Sequence, residues 1–228
     1  MKEYLINKFG VSWLQAMGSY LLSSSFSKLG STIAKERKNN VVYPSREDLF
    51  KCFLFTPYEE IKIVLMGMDP YHDGSADGLA FSNSNTLSIS PSLRLILKEI
   101  ANEYPEKERE IDHGRLVRQD LSRWAIQGVL LLNAAQTVIE KQPGSHMKLW
   151  EEFNDQVIKT LNKRKDIIWI LLGNNAKAFL PKISKQHYVL TAPHPAAEIY
   201  RKAGFLGSGI FKKANERLAA LNKKEIEW

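Results

Sequence analysis

A carboxylate, an amide and two imidazoles follow short apolar segments in this chain, and together these side chains could carry out a hydrolysis. Asp69 and His72 follow one such segment, and Asn133 and His194 each follow another. A carboxylate can orient an attacking water, and an imidazole can stabilise negative charge that develops on a departing group. An amide both donates and accepts hydrogen bonds, so it can read the polar edge of a planar ligand. The pattern indicates hydrolysis of a bond to such a ligand.

Two aromatic residues, Tyr71 and Phe81, accompany these polar side chains. Aromatic rings can stack on a nucleobase, and an enzyme that acts on a base in DNA must first extrude that base into a pocket. A metal site built from two histidines and one aspartate is a weaker alternative, because no short-spaced pair such as H-x-x-x-H is present. The sequence also lacks a nucleophilic serine elbow and a glycine-rich phosphate loop. We therefore expect neither a metal nor a cofactor.

The composition suits a basic globular protein. The chain has 228 residues, with 32 Lys and Arg against 25 Asp and Glu, for a net charge of +7. This excess favours a polyanionic partner such as nucleic acid, although many basic proteins have none. The single cysteine, Cys52, excludes an internal disulfide and is expected in the core. With no signal segment and no apolar run of about 20 residues, we expect a soluble, cytoplasmic monomer.

Apolar segments alternate with amphipathic ones along the chain. The apolar segments lack strict polar alternation, which predicts strands buried on both faces; they are Ile61–Met66, Val129–Leu132, Ile167–Leu172 and Tyr188–Thr191. Helical spacing of apolar residues predicts helices over Ser12–Lys38 (with a break in its Ser-rich middle), Ser92–Tyr104, Gly114–Gln127, Leu149–Asn162 and Asn215–Leu221. Alternating strands and helices predict a single α/β domain spanning residues 1–228, a three-layer sandwich with a central four-stranded parallel sheet flanked by helices.

Parallel sheets of this kind bind ligands beyond the carboxyl ends of their strands. Each predicted strand is followed there by a residue capable of chemistry or of close backbone approach: Asp69 and His72, then Asn133, then Gly173 and Asn174, then His194. The sequence therefore predicts that all of these residues meet at one rim of the sheet.

Several motifs at this predicted rim resemble those of the uracil-DNA glycosylases that include the bacterial, nuclear and herpesviral enzymes. The segment Gly67–His72 (GMDPYH) resembles G-Q-D-P-Y-H, and Trp124–Asn133 (WAIQGVLLLN) resembles W-A-x-Q-G-V-L-L-L-N. Gly78–Ser82, Ser145-His146 and Trp228 also correspond, so the resemblance covers almost the whole chain. It implies an enzyme that extrudes uracil from single- or double-stranded DNA and hydrolyses its N-glycosidic bond without a cofactor. The products would be free uracil and an abasic site.

The resemblance also implies roles for the residues at the rim. Asp69 would orient the attacking water and stabilise a sugar that becomes cationic as the bond breaks. His194, as a neutral imidazole, would donate a hydrogen bond to uracil O2. Asn133 would pair with the uracil edge, where cytosine presents the inverted pattern. The Tyr71 ring would exclude the methyl group of thymine, and Phe81 would stack on uracil.

Further positions correspond to supporting and DNA-contacting residues of the family. Met68, in place of the usual Gln, would act through its backbone, and His72 would support a water or phosphate contact. Ser92, Asn174 and Ser208 would contact the DNA backbone, which positions DNA without reading its sequence. A local structural hydrogen bond for His72, and helix or turn caps for Ser92 and Asn174, remain open alternatives.

One segment departs from the family pattern. The departure lies in His194–Phe205, where the family norm is H-P-S-P-L-S-x-x-R-G-F-F-G, whose Leu wedges into the duplex where the nucleotide leaves. Here Glu198 falls on the Leu position, and the loop is one residue longer. A carboxylate is a poor wedge beside DNA phosphates. We hypothesise that Ile199 or Tyr200 fills the gap, or that Arg201 enters the groove instead.

Two alternative functions remain open at this point. The first is a related glycosylase for another base, such as hypoxanthine or a mismatched thymine, against which Tyr71 and Asn133 argue. The second is a non-catalytic DNA-binding or processivity module that keeps the fold. Asp69, Asn133 and His194 are all present, and a module that only binds DNA has no need of all three.

Overall fold

The computed structural model describes residues 2–86, 88–107 and 119–228. Its strands are β1 (Val42–Tyr43), β2 (Ile63–Gly67), β3 (Val129–Asn133), β4 (Val138–Ile139), β5 (Ile168–Leu172) and β6 (Tyr188–Ala192). Four of them form a parallel sheet in the order β3-β2-β5-β6, and β1 and β4 form a small antiparallel pair. The predicted four-stranded parallel sheet is confirmed, and each strand lies within two residues of its predicted bounds.

Helices cover the sheet and extend the fold beyond it. They are α1 (Lys2–Leu21), α2 (Ser24–Asn39), α3 (Lys51–Phe55), α4 (Pro91–Glu103), α5 (Ser122–Ala125), α6 (Glu151–Leu161), α7 (Gly173–Lys177) and α8 (Ile210–Ala220). Helices α3 and α5 contact β3, whereas α8 contacts β5 and β6. Within the described residues, no helix is long and apolar enough to span a membrane.

Most of the predicted helices are present, with three differences. The break in the Ser-rich segment is confirmed between α1 and α2, where Ser23 accepts a hydrogen bond from the Phe26 N–H as the N-cap, but the helical region begins earlier than Ser12. The closing helix begins at Ile210 rather than at Asn215. Of the predicted helix over 114–127, residues 114–118 lie outside the described residues, and the described remainder is helical only in α5.

One continuous hydrophobic core runs from Leu5 to Trp228. Every residue of β2, β3 and β5 is buried, as the absence of polar alternation predicted. Strand β6 contradicts this prediction, because Tyr188 is 42% exposed and the strand is only partly covered. Strand β6 lies at one end of the strand order, but β3 lies at the other end and is fully buried, so the exposure of β6 reflects incomplete cover of its two faces rather than its edge position. Cys52 is fully buried in the core, as expected, and burial raises the pKa of its thiol.

The register of the sheet brings the strand ends together. Gly67 at the end of β2 pairs with Asn133 at the end of β3, and Leu172 at the end of β5 pairs with Ala192 at the end of β6. Because all four strands are parallel, the segments that follow these residues leave the sheet at the same edge. The predicted common rim is therefore a consequence of the observed topology.

Gly128 allows a close backbone approach just before β3, and this generates a stability prediction. It has φ of +100°, and a Cβ there would lie 2.4 Å from the Glu60 carbonyl oxygen, whereas Gly10 has φ of +73° with nothing within 4 Å. A side chain at positive φ costs about 1–3 kcal/mol at either site, and overpacking at residue 128 adds about 1–3 kcal/mol. Chemical denaturation should therefore show Gly128→Ala to be clearly less stable than Gly10→Ala. Equal losses in the two variants would contradict this account.

Candidate active site

Asp69 lies two residues beyond the end of β2, and a backbone amide fixes its carboxylate. The Gly144 N–H donates to Asp69 Oδ2 at 2.6 Å, while Oδ1 receives no hydrogen bond from the described residues. Burial raises the pKa of the Asp69 carboxyl above its ordinary value, and the Gly144 hydrogen bond and nearby His72 partly offset this rise. One oxygen is thus held in place and the other is left for a ligand or water.

His194 follows β6 and is held in a defined tautomer. The Ala196 N–H donates to His194 Nδ1 at 3.2 Å, in the turn that begins at Pro195. Because Nδ1 accepts this hydrogen bond, the proton of the neutral ring lies on Nε2, which can then donate to a ligand. Burial lowers the pKa of the imidazole and favours that neutral form. A Cβ at Gly173 would lie 2.8 Å from the His194 Cβ, so glycine there permits this placement.

Asn133 and Phe81 face each other across Gly67. A Cβ at Gly67 would lie 2.7 Å from Asn133 Oδ1 and 3.2 Å from the Phe81 ring. Because glycine has no side chain, the space between Asn133 and Phe81 stays open. The Asn133 amide group makes no hydrogen bond within the described residues, although Gln136 Nε2 donates to the Asn133 carbonyl. The Phe81 ring lies 5.8 Å from the His194 ring, measured between centroids. An unpaired amide, an aromatic face and an imidazole therefore share one space.

Tyr71 is pinned by both hydrogen-bonding functions of its hydroxyl. The hydroxyl donates to the Phe81 carbonyl at 3.3 Å and accepts from Ser90 Oγ at 2.5 Å. Burial raises the pKa of this hydroxyl, so it stays protonated. Ser90 is also the N-cap of α4, where its Oγ accepts from the Leu93 N–H at 3.2 Å. The Tyr71 ring is thereby fixed to the segment that carries Phe81 and to the start of α4.

The supporting residues have mixed surroundings. The Met68 carbonyl accepts from the Ala135 N–H at 2.9 Å, which ties the segment after β2 to the segment after β3, and the action of its backbone on a ligand stays a prediction. His72 Nδ1 is buried without a partner among the described residues, so no local hydrogen bond of that nitrogen accounts for the residue. The N-cap of α4 is Ser90, so the cap alternative for Ser92 is wrong.

The predicted DNA-contacting residues on the segments that follow β5 and β6 differ in their exposure and contacts. Asn174 is exposed in α7, where Leu172 rather than Asn174 occupies the N-cap position, so its cap alternative is also wrong. Ser208 is less available than predicted, because its Oγ donates to Glu99 Oε1 at 3.1 Å. Ile199 is 52% exposed and Tyr200 is 86% exposed. Residues 199–201, called the tip below, therefore present two exposed apolar side chains.

A cavity of about 480 Å³ adjoins His194 and is bordered by α7 and the 193–203 segment. Its lining includes Asn174 and the cationic side chains of Lys177, Arg201 and Lys202. Sequence reasoning identified Asn174 and Arg201 here but missed both lysines, which belong to no recognisable motif. It also missed Gly144 and Ser90, whose roles arise only from contacts with distant residues. Within the described residues, no group of three His, Cys, Asp or Glu side chains is arranged to hold a metal ion.

Comparison with known proteins assigns the family. The model of the uracil DNA glycosylase superfamily matches residues 53–219. The chain is 41% identical to a uracil-DNA glycosylase of Fusobacterium nucleatum over 98% of this chain and 97% of that protein, and 39% identical to one of Aliarcobacter butzleri over 96% and 100%. The crystal structure of mimivirus uracil-DNA glycosylase superposes with a TM-score of 0.85 at 25% identity, covering 98% of this chain and 88% of that one. This chain belongs to the uracil DNA glycosylase superfamily.

Proposed function

We propose that this chain is a DNA repair enzyme that extrudes uracil from DNA and hydrolyses its N-glycosidic bond. The observation that carries the proposal is the pairing of a fixed Asp69 carboxylate with a neutral His194 whose Nε2–H is free to donate. His194 adjoins the space shared by Asn133 and Phe81, and Asp69 lies two residues after Gly67, which borders that space. This combination suits a planar polar leaving group that gains negative charge.

Base selection rests on three side chains. The flipped uracil stacks on Phe81, and the unpaired Asn133 amide pairs with its polar edge. Cytosine would leave that buried amide mismatched, which gives strong discrimination. The Tyr71 ring, fixed through Phe81 and Ser90, closes the position that the thymine methyl group would occupy.

Bond cleavage separates charge between the sugar and the base. As the C1′–N1 bond breaks, its electron pair moves onto uracil, and the His194 Nε2–H stabilises the resulting charge at O2. The sugar becomes cationic, and the Asp69 carboxylate stabilises it and orients a water toward C1′. Oxygen of that water bonds to C1′ and its proton passes to Asp69, which returns it to solvent, while the released uracil anion takes up a proton from solvent. Free uracil and an abasic site result, with no step that calls for a metal or cofactor.

DNA binding uses the cavity beside His194 and the protruding tip. Lys177, Arg201 and Lys202 supply positive charge for phosphates next to the flipped nucleotide, together with Asn174 and, through their backbone, the Ser92 and Ser208 segments. Tyr200 is the best wedge, because it is the more exposed of the two apolar tip residues and its ring can stack on bases. His72 supports the phosphate or water beside Asp69.

The same proposal includes action on single- and double-stranded DNA by a cytoplasmic monomer. Asp69, Asn133 and His194 all come from one chain, so the site needs no second copy. The lone buried cysteine suits a reducing compartment. Sedimentation of the purified protein with and without a uracil-containing oligonucleotide tests the monomer.

Substitution of Asp69 tests the chemistry. Asp69→Asn keeps an acceptor for the Gly144 N–H but removes the charge, and we expect the excision rate to fall roughly 10²–10⁴-fold. Excision is measured as alkali-sensitive strand cleavage of a uracil-containing oligonucleotide in EDTA, where the wild-type protein should remain active. Asp155→Asn, at an exposed ion pair with Lys182, is the control and should stay within about twofold of wild type. Undiminished excision by Asp69→Asn would refute the mechanism.

The pH dependence follows from the two perturbed groups. The reaction needs Asp69 ionised and His194 neutral; burial raises the pKa of the first and lowers that of the second. A fall in pH protonates both groups and so removes the ionised Asp69 and the neutral His194. Conversely, kcat/KM should rise as the pH rises through the Asp69 pKa, which lies above the ordinary value of about 3.9. A pH profile on a single-stranded oligonucleotide should show this acid limb. Activity that instead declined as His194 lost its proton would contradict a neutral imidazole.

Substitutions at the tip test the wedge. Tyr200→Ala should lower excision from duplex DNA roughly tenfold while leaving single-stranded substrate nearly unaffected. The reason is that only in a duplex does the extruded nucleotide leave a gap in the base stack that a side chain must fill. Ile199→Ala and Arg201→Ala should show smaller selective losses. Tyr4→Ala, which removes a tyrosine that is 51% exposed on α1, serves as the control. If none of the tip variants weakened duplex excision selectively, the wedge assignment would be wrong.

A further inference from the structure

The Glu198 carboxylate, at the position of the family's wedge residue, faces the protein backbone. Its Oε1 accepts from the N–H of Phe205 at 2.5 Å and of Leu206 at 3.2 Å, and its Oε2 accepts from the N–H of Ala203 at 3.2 Å. All of these donors lie on the arm of the loop that returns from the tip. Glu198 itself ends the outgoing arm, in the turn Pro195–Ile199. One side chain therefore ties both arms together.

The hydrogen bonds of Glu198 that join the two arms determine which residues of the loop are exposed. Between Glu198 and its first partner, Ala203, lie only the residues of the tip and Lys202. Ile199 and Tyr200 are 52% and 86% exposed, while Phe205, on the returning arm, is fully buried. Glu198 thus holds the two ends of the tip together, and the buried Phe205 anchors the returning arm in the core.

The charge on Glu198 is accommodated by amide dipoles. Burial alone would raise the pKa of this carboxyl, but the backbone N–H groups of Phe205, Ala203, Leu206 and Gly204 together lower it below its ordinary value. Charge-assisted hydrogen bonds to backbone amides are stronger than neutral ones. A carboxylate at this position therefore remains ionised as part of the loop and does not act as a free anion presented to DNA phosphates.

A second carboxylate continues the same arrangement toward the core. Glu99, fully buried on α4, accepts from the N–H of Gly207 at 2.6 Å, from Ser208 Oγ at 3.1 Å and from the N–H of Gly209 at 2.8 Å. Because α4 begins at the Ser90 cap that also fixes Tyr71, the base of the loop is tied to the catalytic rim.

We propose that Glu198 is a positioning residue that closes the loop and thereby presents Ile199, Tyr200 and Arg201 for entry into duplex DNA. The inference rests on the proposed uracil excision. Glu198 occupies the position of the wedge but takes over a different task, and the apolar wedge moves to the residues directly after it. The added residue in the loop gives the chain the length for this displaced tip.

The test compares Glu198→Leu and Glu198→Gln on matched duplex and single-stranded oligonucleotides. Leucine restores the family residue but accepts no hydrogen bond, so kcat/KM on duplex should fall roughly tenfold, mainly through KM, because the tip is misplaced. Single-stranded excision should stay within about twofold, since the catalytic groups are untouched. Glutamine keeps one acceptor oxygen and should rescue part of the duplex activity. A leucine variant with equal or higher duplex activity would overturn the proposal.

Glu103→Gln is the matched control. Glu103 also accepts backbone hydrogen bonds, from the N–H groups of Phe211 and Lys212 at the start of α8, and neither donor lies in the loop that Glu198 closes. Burial raises the pKa of its carboxyl to about 7 and the neighbouring Glu99 adds to the rise, so glutamine removes only part of a charge at neutral pH. We expect this variant to keep the wild-type ratio of duplex to single-stranded excision. A matching loss of that ratio in the control would mean a general structural effect and would overturn the specific role of Glu198.

Limited trypsin digestion supplies a readout that does not depend on excision. Trypsin cleaves after Arg201 and Lys202, both exposed in the loop. Cleavage there should accelerate in Glu198→Leu and not in Glu103→Gln, and unchanged cleavage would overturn the proposal. If wild-type protein released no uracil from either substrate, the proposed function would fail, whereas the digestion would still decide whether Glu198 closes the loop.

Discussion

The parallel register of the central sheet is the constraint on which the site depends. Gly67 pairs with Asn133, and Leu172 pairs with Ala192, so the residues beyond these pairs leave the sheet at one edge. Each strand supplies a different function there, and none of the supplying residues are close in sequence. A shift of one residue in this pairing would turn the Asn133 side chain to the other face of the sheet. Chemistry in this protein is therefore specified first by strand pairing.

Backbone groups then adjust the side chains that the sheet brings together. The Gly144 N–H fixes one oxygen of Asp69, and the Ala196 N–H selects the tautomer of His194. Glycine at position 67 matters as well, because a Cβ there would obstruct the space between Asn133 and Phe81. Such contacts cost no side-chain entropy at the moment of reaction, so the polar groups are preorganised.

The loops around the rim show the same use of backbone donors, here gathered by carboxylates. Glu198 closes the 195–206 segment, and Glu99 holds the segment that follows it. Carboxylates that accept several amide hydrogen bonds can fix an irregular loop without regular secondary structure. A family position that elsewhere carries an apolar side chain can thus become a structural one, provided that a neighbouring residue takes over the apolar role.

The sequence by itself determined the sheet, most helices and the identities of the rim residues. Uninterrupted apolar segments such as those of β2 and β5 are typical of buried parallel strands, and Asp69, Asn133 and His194 lie at or shortly after the ends of the predicted strands. The burial prediction was wrong at β6, because an apolar segment does not reveal how completely the rest of the fold covers the two faces of its strand.

Only the tertiary structure decided the partners of these groups. Nothing in the local sequence indicates that Gly144 serves Asp69, since 75 residues separate them. Sequence comparison placed Glu198 on a wedge position, and the direction of its carboxylate became evident only once the loop was folded back on it. Local pattern specifies which backbone conformation a segment adopts, whereas hydrogen bonds between distant segments depend on how the folded chain brings their donors and acceptors within 3 Å or so of each other.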